Sequence, residues 1–176
     1  MDEIWKDIAG SEGIYQVSNK GRVKSLERTI ANNSGFQTLP EKILKQYLSK
    51  ARRYPFLILR INNKSVNRYI HRLVAEAFIG QSELQVNHIN GTKQDNRPEN
   101  LEYVSNRENN THRFKKEGHL TGAHFNKTVN KWQSSIKINK KSLALGYFDS
   151  QEEAHKAYKK ACIDHGVTNK YISDAR

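Results

Sequence analysis

The chain is short of cysteine, of acid and of apolar residues, and each shortage removes a class of protein. One cysteine among 176 residues, Cys162, excludes an internal disulfide and any zinc knuckle built on paired thiolates. It reads instead as a small apolar residue on a helix face. No apolar run approaches the ~20 residues that span a bilayer, so no membrane partner is expected. The opening MDEIWKD is acidic and unlike a secretion signal, and a cytoplasmic protein is expected. Hydrophobic residues make up 36%, which favours several small cores over one large one. Acidic residues number 18 against 30 lysines and arginines, leaving a formal charge of +12. An excess of that size calls for a polyanion, and nucleic acid is the expected one.

Three textures follow one another. Residues 1–50 space short apolar pairs between glycines. Tyr15 and Val17 alternate with polar neighbours, Asn19-Lys20-Gly21 reads as a turn, and Val23 resumes the alternation, predicting a hairpin. Thr29 to Lys42 lacks periodicity and reads as a loop. Residues 51–117 begin with the strand YPFLILRIN, turn at Asn62-Asn63-Lys64 and return through SVNRYI. HRLVAEAFIG then places Leu73, Val74, Ala77 and Phe78 on one face of a short helix ending at Gly80. After it come a strand to Ile89, a polar loop to Asn100, a strand from Leu101 to Val104, and a helix announced by the capping box Ser105-x-x-Glu108. A linker at 118–122 leads to residues 123–176. These predict three strands and a helix capped by Ser150-x-x-Glu153, with Ala154, Ala157, Tyr158 and Ala161 as its apolar stripe. Trp132, Ser134 and Ile136 face that helix; Trp132, Leu143, Leu145, Tyr147 and Phe148 read as core.

The densest chemistry lies in VNHINGTKQDNRPENLEYVSNRENN, Val86 to Asn110, where seven asparagines surround one histidine. Hydrolysis of a phosphodiester needs a base to activate water and a cation to offset charge on the phosphate and the leaving oxygen. A neutral imidazole at His88 suits the first task. Carbonyl oxygens at Asn87 and Asn109 suit the second, because Mg²⁺ takes oxygen ligands and keeps several waters. Neighbours on a strand point to opposite faces, so Asn87 and His88 serve one phosphate only at a strand edge or where the strand is distorted.

VNHINGTKQDNRPENL followed by NRENN resembles the HNH homing endonucleases, as does YIHRLVAEAFIG upstream. The opening WKDIAGSEGIYQVSNKGRVKSL resembles a modular domain attached to such nucleases. KWQSSIKI and LGYFDSQEEAHKAY resemble the APETALA2-type DNA-binding domain of plant ethylene-response factors. The resemblance implies an α+β, multi-module protein. It would comprise a β-rich N-terminal module (1–50), a ββα-metal nuclease core (51–117) and a C-terminal three-stranded antiparallel sheet packed on one helix (123–176).

Carried over, the resemblance makes His88 the general base and Asn100 the side chain that braces the loop and helps orient it. Asn87 and Asn109 become ligands of one Mg²⁺ or Mn²⁺ per site. His112 and Arg113 are candidate phosphate contacts, and His71 and Arg72 cap their helix or touch phosphate. In the C-terminal sheet, His124, Asn126, Gln133, Ser135 and Lys137 face the major groove, with Ser142 and Ala144 on the third strand. Lys127, Lys131, Lys140 and Lys141 contact phosphate, while Lys24, Arg28, Arg52 and Arg53 follow the DNA backbone or are simply solvated. The implied activity is metal-dependent cleavage of double-stranded DNA, with nicking by a monomer, in a bacterial host and of phage or intron origin. The alternative is a DNA-binding protein derived from such a nuclease that does not cut. The neutral amide ligands keep that alternative open.

Overall fold

The protein is described by a computed structural model for residues 2–32, 35–48, 50–51, 53–116 and 118–168. The chain divides into two compact units, Met1–Val104 and Ser105–Arg176. This division does not follow the three textures of the sequence. The N-terminal module and the following strands share one core, in which Ile8, Tyr15, Val17 and Val23 are buried with Leu57, Leu59, Ile70, Leu73, Val74, Val86 and Leu101. A short sheet with low apolar content cannot close a core alone, and here it borrows one.

In the first unit, β1 (Trp5–Asp7), β2 (Tyr15–Ser18), β3 (Val23–Ser25) and β6 (Lys42–Ile43) form one sheet in the order β1-β2-β3-β6. The β2–β3 turn closes because Ser18 Oγ accepts the Lys20 and Arg22 N–H groups at 3.2 and 3.1 Å. Gly21 takes φ +75° there, and its Cα faces Asn96: an added Cβ would lie 3.1 Å from the Asn96 Cβ. The stretch expected as a loop is instead the hairpin β4 (Arg28–Asn32) and β5 (Gly35–Leu39). Residues Gly35 to Thr38 are exposed, so no buried face imposed an alternation on this strand that the sequence could display.

β7 (Tyr47–Leu48), β8 (Pro55–Ile61) and β9 (Lys64–Tyr69) form a second sheet. Asn62 and Asn63 turn β8 into β9 with φ of 49° and 60°, a left-handed pair that asparagine tolerates. β9 runs straight into α1 (Ile70–Phe78), whose buried face carries Ile70, His71, Leu73, Val74 and Ala75. β10 (Gln85–His88) and β11 (Leu101–Val104) pair antiparallel, placing Asn87 opposite Glu102 and His88 opposite Leu101.

The second unit opens with α2 (Asn106–Lys116), capped by Ser105 Oγ and Glu108. β12 (Ala123–Asn126), β13 (Lys131–Ile138) and β14 (Lys141–Phe148) form an antiparallel sheet, and α3 (Gln151–Asp164) packs on it through Ile136, Tyr158, Ala161 and Cys162. Both halves of the Ser150/Glu153 capping box are made. Cys162 is buried, and Tyr158 is pushed up to about 12 by burial. Two residues expected in the core are not there: Leu143 is 44% exposed and Tyr147 is 49% exposed. The register shifts at Ser134/Ser135, so that Leu145 is an extra residue on β14 and Tyr147 pairs with Gln133 on the face away from α3.

Candidate active site and nucleic-acid interface

β10 ends at His88. The chain turns at once, with the Gly91 N–H donated to the His88 carbonyl at 2.8 Å and the Ile89 N–H to Asn100 at 2.9 Å. The strand alternation puts Asn87 and His88 on different sides of the β10–β11 ribbon, and both are buried. His88 is the last residue of β10.

The His88 ring lies in an aromatic group. It stacks on Tyr54 at 5.9 Å and meets His71 edge-on at 5.4 Å, while Tyr54 and His71 are 4.7 Å apart. Lys93 Nζ sits 4.7 Å from the centre of the Tyr54 ring. Burial holds His88 below its ordinary pKa. The Asn96 hydrogen bond and Asp95 act against that, and Lys93 adds to it, so the ring is neutral at neutral pH.

The tautomer follows from Asn96. Its amide donates to the Gln94 carbonyl at 3.2 Å, which turns Oδ1 toward His88, 3.1 Å from Nε2. Nε2 therefore carries the proton and Nδ1 the lone pair. Asn96 is itself buried. Asn100 holds the loop rather than the ring: Oδ1 accepts the Asn90 N–H at 2.9 Å, and Nδ2 donates to Asn90 Oδ1 at 3.0 Å and to the Asp95 carbonyl at 2.8 Å. Asp95 is engaged by Arg97 on both oxygens, each at 2.9 Å, and by Asn90. The Arg97 guanidinium lowers its carboxyl to about 2. Asn96 and Tyr54 were not singled out from sequence. Asn96 is one asparagine among seven, and Tyr54 lies more than thirty residues upstream, so only the folded chain shows their proximity to His88.

Asn87 Nδ2 donates to Glu102 Oε1 at 2.8 Å, so its carbonyl oxygen is the end turned from that carboxylate. Among the described residues no three His, Cys, Asp or Glu side chains cluster as a metal centre. The donor expected at position 87 is an amide oxygen. That suits a hard cation which keeps most of its waters and takes few protein ligands. Asn109, half-buried on α2 in the second unit, is the other amide expected to serve.

His71 is buried and its Nδ1 has no hydrogen-bond partner among the described residues. Burial, with His88 and Arg72 adding to it, lowers its pKa to about 3. Below pH ~6.5 the unfolded chain binds a proton here that the folded chain refuses until about pH 3. Stability is therefore lost as pH falls through that window. Urea unfolding of wild type and His71→Leu at pH 7 and pH 5 should show the wild type losing about 2 kcal/mol more between the two. Equal losses would mean that His71 is protonated in the folded state. Arg72 is engaged nearby, its Nη1 donating to the Leu84 carbonyl at 2.7 Å.

In the second unit the outer face of the sheet carries His124, Asn126, Gln133, Ser135 and Lys137, with Ser142 and Ala144 opposite Lys137 and Ser135. His124 Nε2 and Asn126 Nδ2 both meet Gln133 Oε1, at 3.1 and 3.4 Å. Lys127, Lys140 and Lys141 are exposed, and Lys131 pairs with Asp149 at 3.0 Å. On α2, Arg113 lies over the Phe114 ring and His112 is half-buried. In the first unit Lys24 pairs with Glu41, Arg28 donates to Ser25 Oγ, and Arg53 is exposed. Arg52 lies outside the described residues. No helix among the described residues is long and apolar enough to cross a membrane.

Comparison with known proteins matches residues 3–60 to the NUMOD4 motif and residues 68–111 to the HNH endonuclease family. The DNA endonuclease I-HmuI of Bacillus phage SP01 is 34% identical over 173 residues, covering 97% of this chain and 87% of its own. An uncharacterized HNH endonuclease, L247 of Acanthamoeba polyphaga mimivirus, is 38% identical over 119 residues, 62% of this chain and 26% of the relative. A solved structure of the HNH homing endonuclease I-HmuI, concerned with its DNA binding and cleavage, aligns with a TM-score of 0.52 at 30% identity. The alignment covers 94% of this chain and 84% of that one.

Proposed function

The chain belongs to the HNH endonucleases and is a DNA endonuclease, and on that premise we propose that His88 is its general base. The observation that carries this reading is the buried, neutral imidazole whose Nε2–H is held by Asn96. Nδ1 is then the nitrogen that takes a proton from the attacking water. As the ring becomes cationic, the Asn96 oxygen continues to accept Nε2–H and stabilises it. Tyr54 and His71 fix the ring plane, and Asn100 fixes the loop that carries Asn96.

Asn87 and Asn109 are the proposed ligands of one Mg²⁺ or Mn²⁺. When bound, the cation offsets charge developing on the phosphate and on the leaving 3′ oxygen. Amide ligands are weaker than carboxylates, so the scissile phosphate would complete the site. One such site per chain fits a monomer that nicks one strand and leaves 5′-phosphate and 3′-hydroxyl ends. His112 and Arg113 are proposed to touch phosphate.

The C-terminal sheet is proposed to be an APETALA2-type module that lays its outer face in the major groove. His124, Asn126, Gln133, Ser135 and Lys137 would face base edges. Lys127, Lys131, Lys140 and Lys141 would contact phosphate. With no arginine on that face, readout should be weak and binding strongly salt-dependent.

The test is a duplex DNA library incubated with Mg²⁺, with Mn²⁺ or with chelator, the products then treated with DNA ligase. Metal-dependent nicks that ligase seals are expected. Cleavage that persists in chelator, or nicks that ligase cannot seal, would contradict the proposal. Binding without any nicking would favour the noncatalytic DNA-binding reading.

A further inference from the structure

The proposed metal ligand Asn87 is an amide, and a carboxylate, Glu102, meets it across the strand pair. Asn87 and Glu102 are register partners in β10 and β11, and their side chains therefore leave the same face of the ribbon. Asn87 is buried, Glu102 is half-buried, and the Asn87 amide donates to Glu102 Oε1 at 2.8 Å. From this we infer that Glu102 is a positioning residue that makes Asn87 a metal ligand, an inference resting on the reading of Asn87 as a ligand.

The physical case has two parts. An isolated asparagine can present either its oxygen or its NH₂ group to a cation, and only the oxygen binds. A carboxylate accepts hydrogen bonds and cannot donate one when ionised, so Glu102 admits only the rotamer with NH₂ toward itself and oxygen away. The second part is polarisation. Donation to an anion pulls positive charge onto the amide N–H and leaves the carbonyl oxygen more negative, which partly offsets the missing charge of a neutral ligand. Partners of this kind orient ligands in metal sites generally, and their loss typically weakens metal binding by about 10- to 100-fold. Glutamine at 102 removes both effects with no change in size. Its own NH₂ can donate to the Asn87 oxygen and turn that oxygen away from the cation.

The test uses the full chain and Mn²⁺ alone. Mn²⁺ broadens the NMR signals of nearby backbone amides, so a titration both locates binding and measures it without any cleavage. Wild type should show broadening centred on residues 86–88 and 101–103. Glu102→Gln should need about tenfold more Mn²⁺ for the same broadening. Its spectrum without Mn²⁺ should otherwise match wild type, and Glu102→Asp should recover most of the affinity. A further signature is the Asn87 side-chain NH₂ signal, which should move upfield in Glu102→Gln as the carboxylate bond is lost. Unchanged Mn²⁺ affinity in Glu102→Gln, with Asn87→Ala impaired, would overturn the role of Glu102 and leave Asn87 as the ligand. Unchanged affinity in Asn87→Ala with loss in Glu102→Gln would overturn it differently, making Glu102 itself the ligand. Unchanged affinity in both variants would overturn the reading of Asn87 as a ligand altogether.

Discussion

His88→Ala is expected to lower the single-turnover cleavage rate by about 10²- to 10⁴-fold, the usual worth of a positioned general base. DNA affinity should stay within a few-fold of wild type. The separation follows from where the ring sits. His88 is 4% exposed, among Tyr54, His71 and Asn96, and carries no charge at neutral pH. A neutral, buried ring adds little to the long-range attraction that a +12 chain exerts on DNA. Truncating it leaves a cavity, and the Asn96 amide loses its partner, so some stability is lost as well. A thermal melt of the variant therefore accompanies the rate measurement. A folded variant that binds but does not cut supports His88 as the base. A folded variant that cuts at the wild-type rate would remove it from the chemistry.

Gly122→Ala should destabilise the second unit by about 2–5 kcal/mol, combining left-handed strain with overpacking. Gly122 has φ +80°, and a Cβ there would lie 2.1 Å from Cγ of the Tyr158 ring. Tyr158 cannot swing away cheaply, because it is buried in the α3–sheet core with Ile136, Ala161 and Cys162. The chain has two tryptophans, Trp5 and Trp132, and Trp132 lies in β13. Urea unfolding followed by fluorescence in a Trp5→Phe background reads the second unit alone. The midpoint should fall steeply in Gly122→Ala. An unchanged midpoint would mean that Tyr158 is not packed against Gly122. DNA affinity should fall with the unit if the C-terminal sheet is the groove-facing module, because His124, Gln133 and Lys137 lose their common face.

The sequence displayed those parts of the fold whose cause is local. The two serine–glutamate capping boxes, the asparagine turn at 62–63, the apolar run of β8 and the alternation of β2 and β13 all rest on neighbours a few residues apart. The hairpin β4–β5 left no such trace, because it buries no face. Tyr147 was misplaced because a one-residue bulge on β14 inverts the alternation beyond it, and nothing in LALGYF marks where the bulge falls. The shared core of the first unit was hidden for a different reason. Each half supplies too little apolar surface to reveal that the two close on one another.

In the candidate site, the run from Val86 to Asn110 drew attention to His88, Asn87, Asn100 and Asn109 through composition and resemblance. The residues that define the ring's environment were not legible there. Asn96 acts through a loop closure and Tyr54 and His71 through packing, while Glu102 meets Asn87, on the other side of the ribbon, through cross-strand register. His71 was noticed as the start of a helix, but its ring contact with His88 depends on how β9 passes into α1.

The role of His88 as base rests on its protonation and tautomer, which its ring ¹⁵N shifts at pH 6.5 report in wild type and in Asn96→Ala. Wild type should show a neutral ring with the proton on Nε2 and a bare Nδ1, and Asn96→Ala should lose that preference. A proton on Nδ1, or a fully charged ring at that pH, would contradict that role, because the nitrogen assigned to the base would have no lone pair to offer.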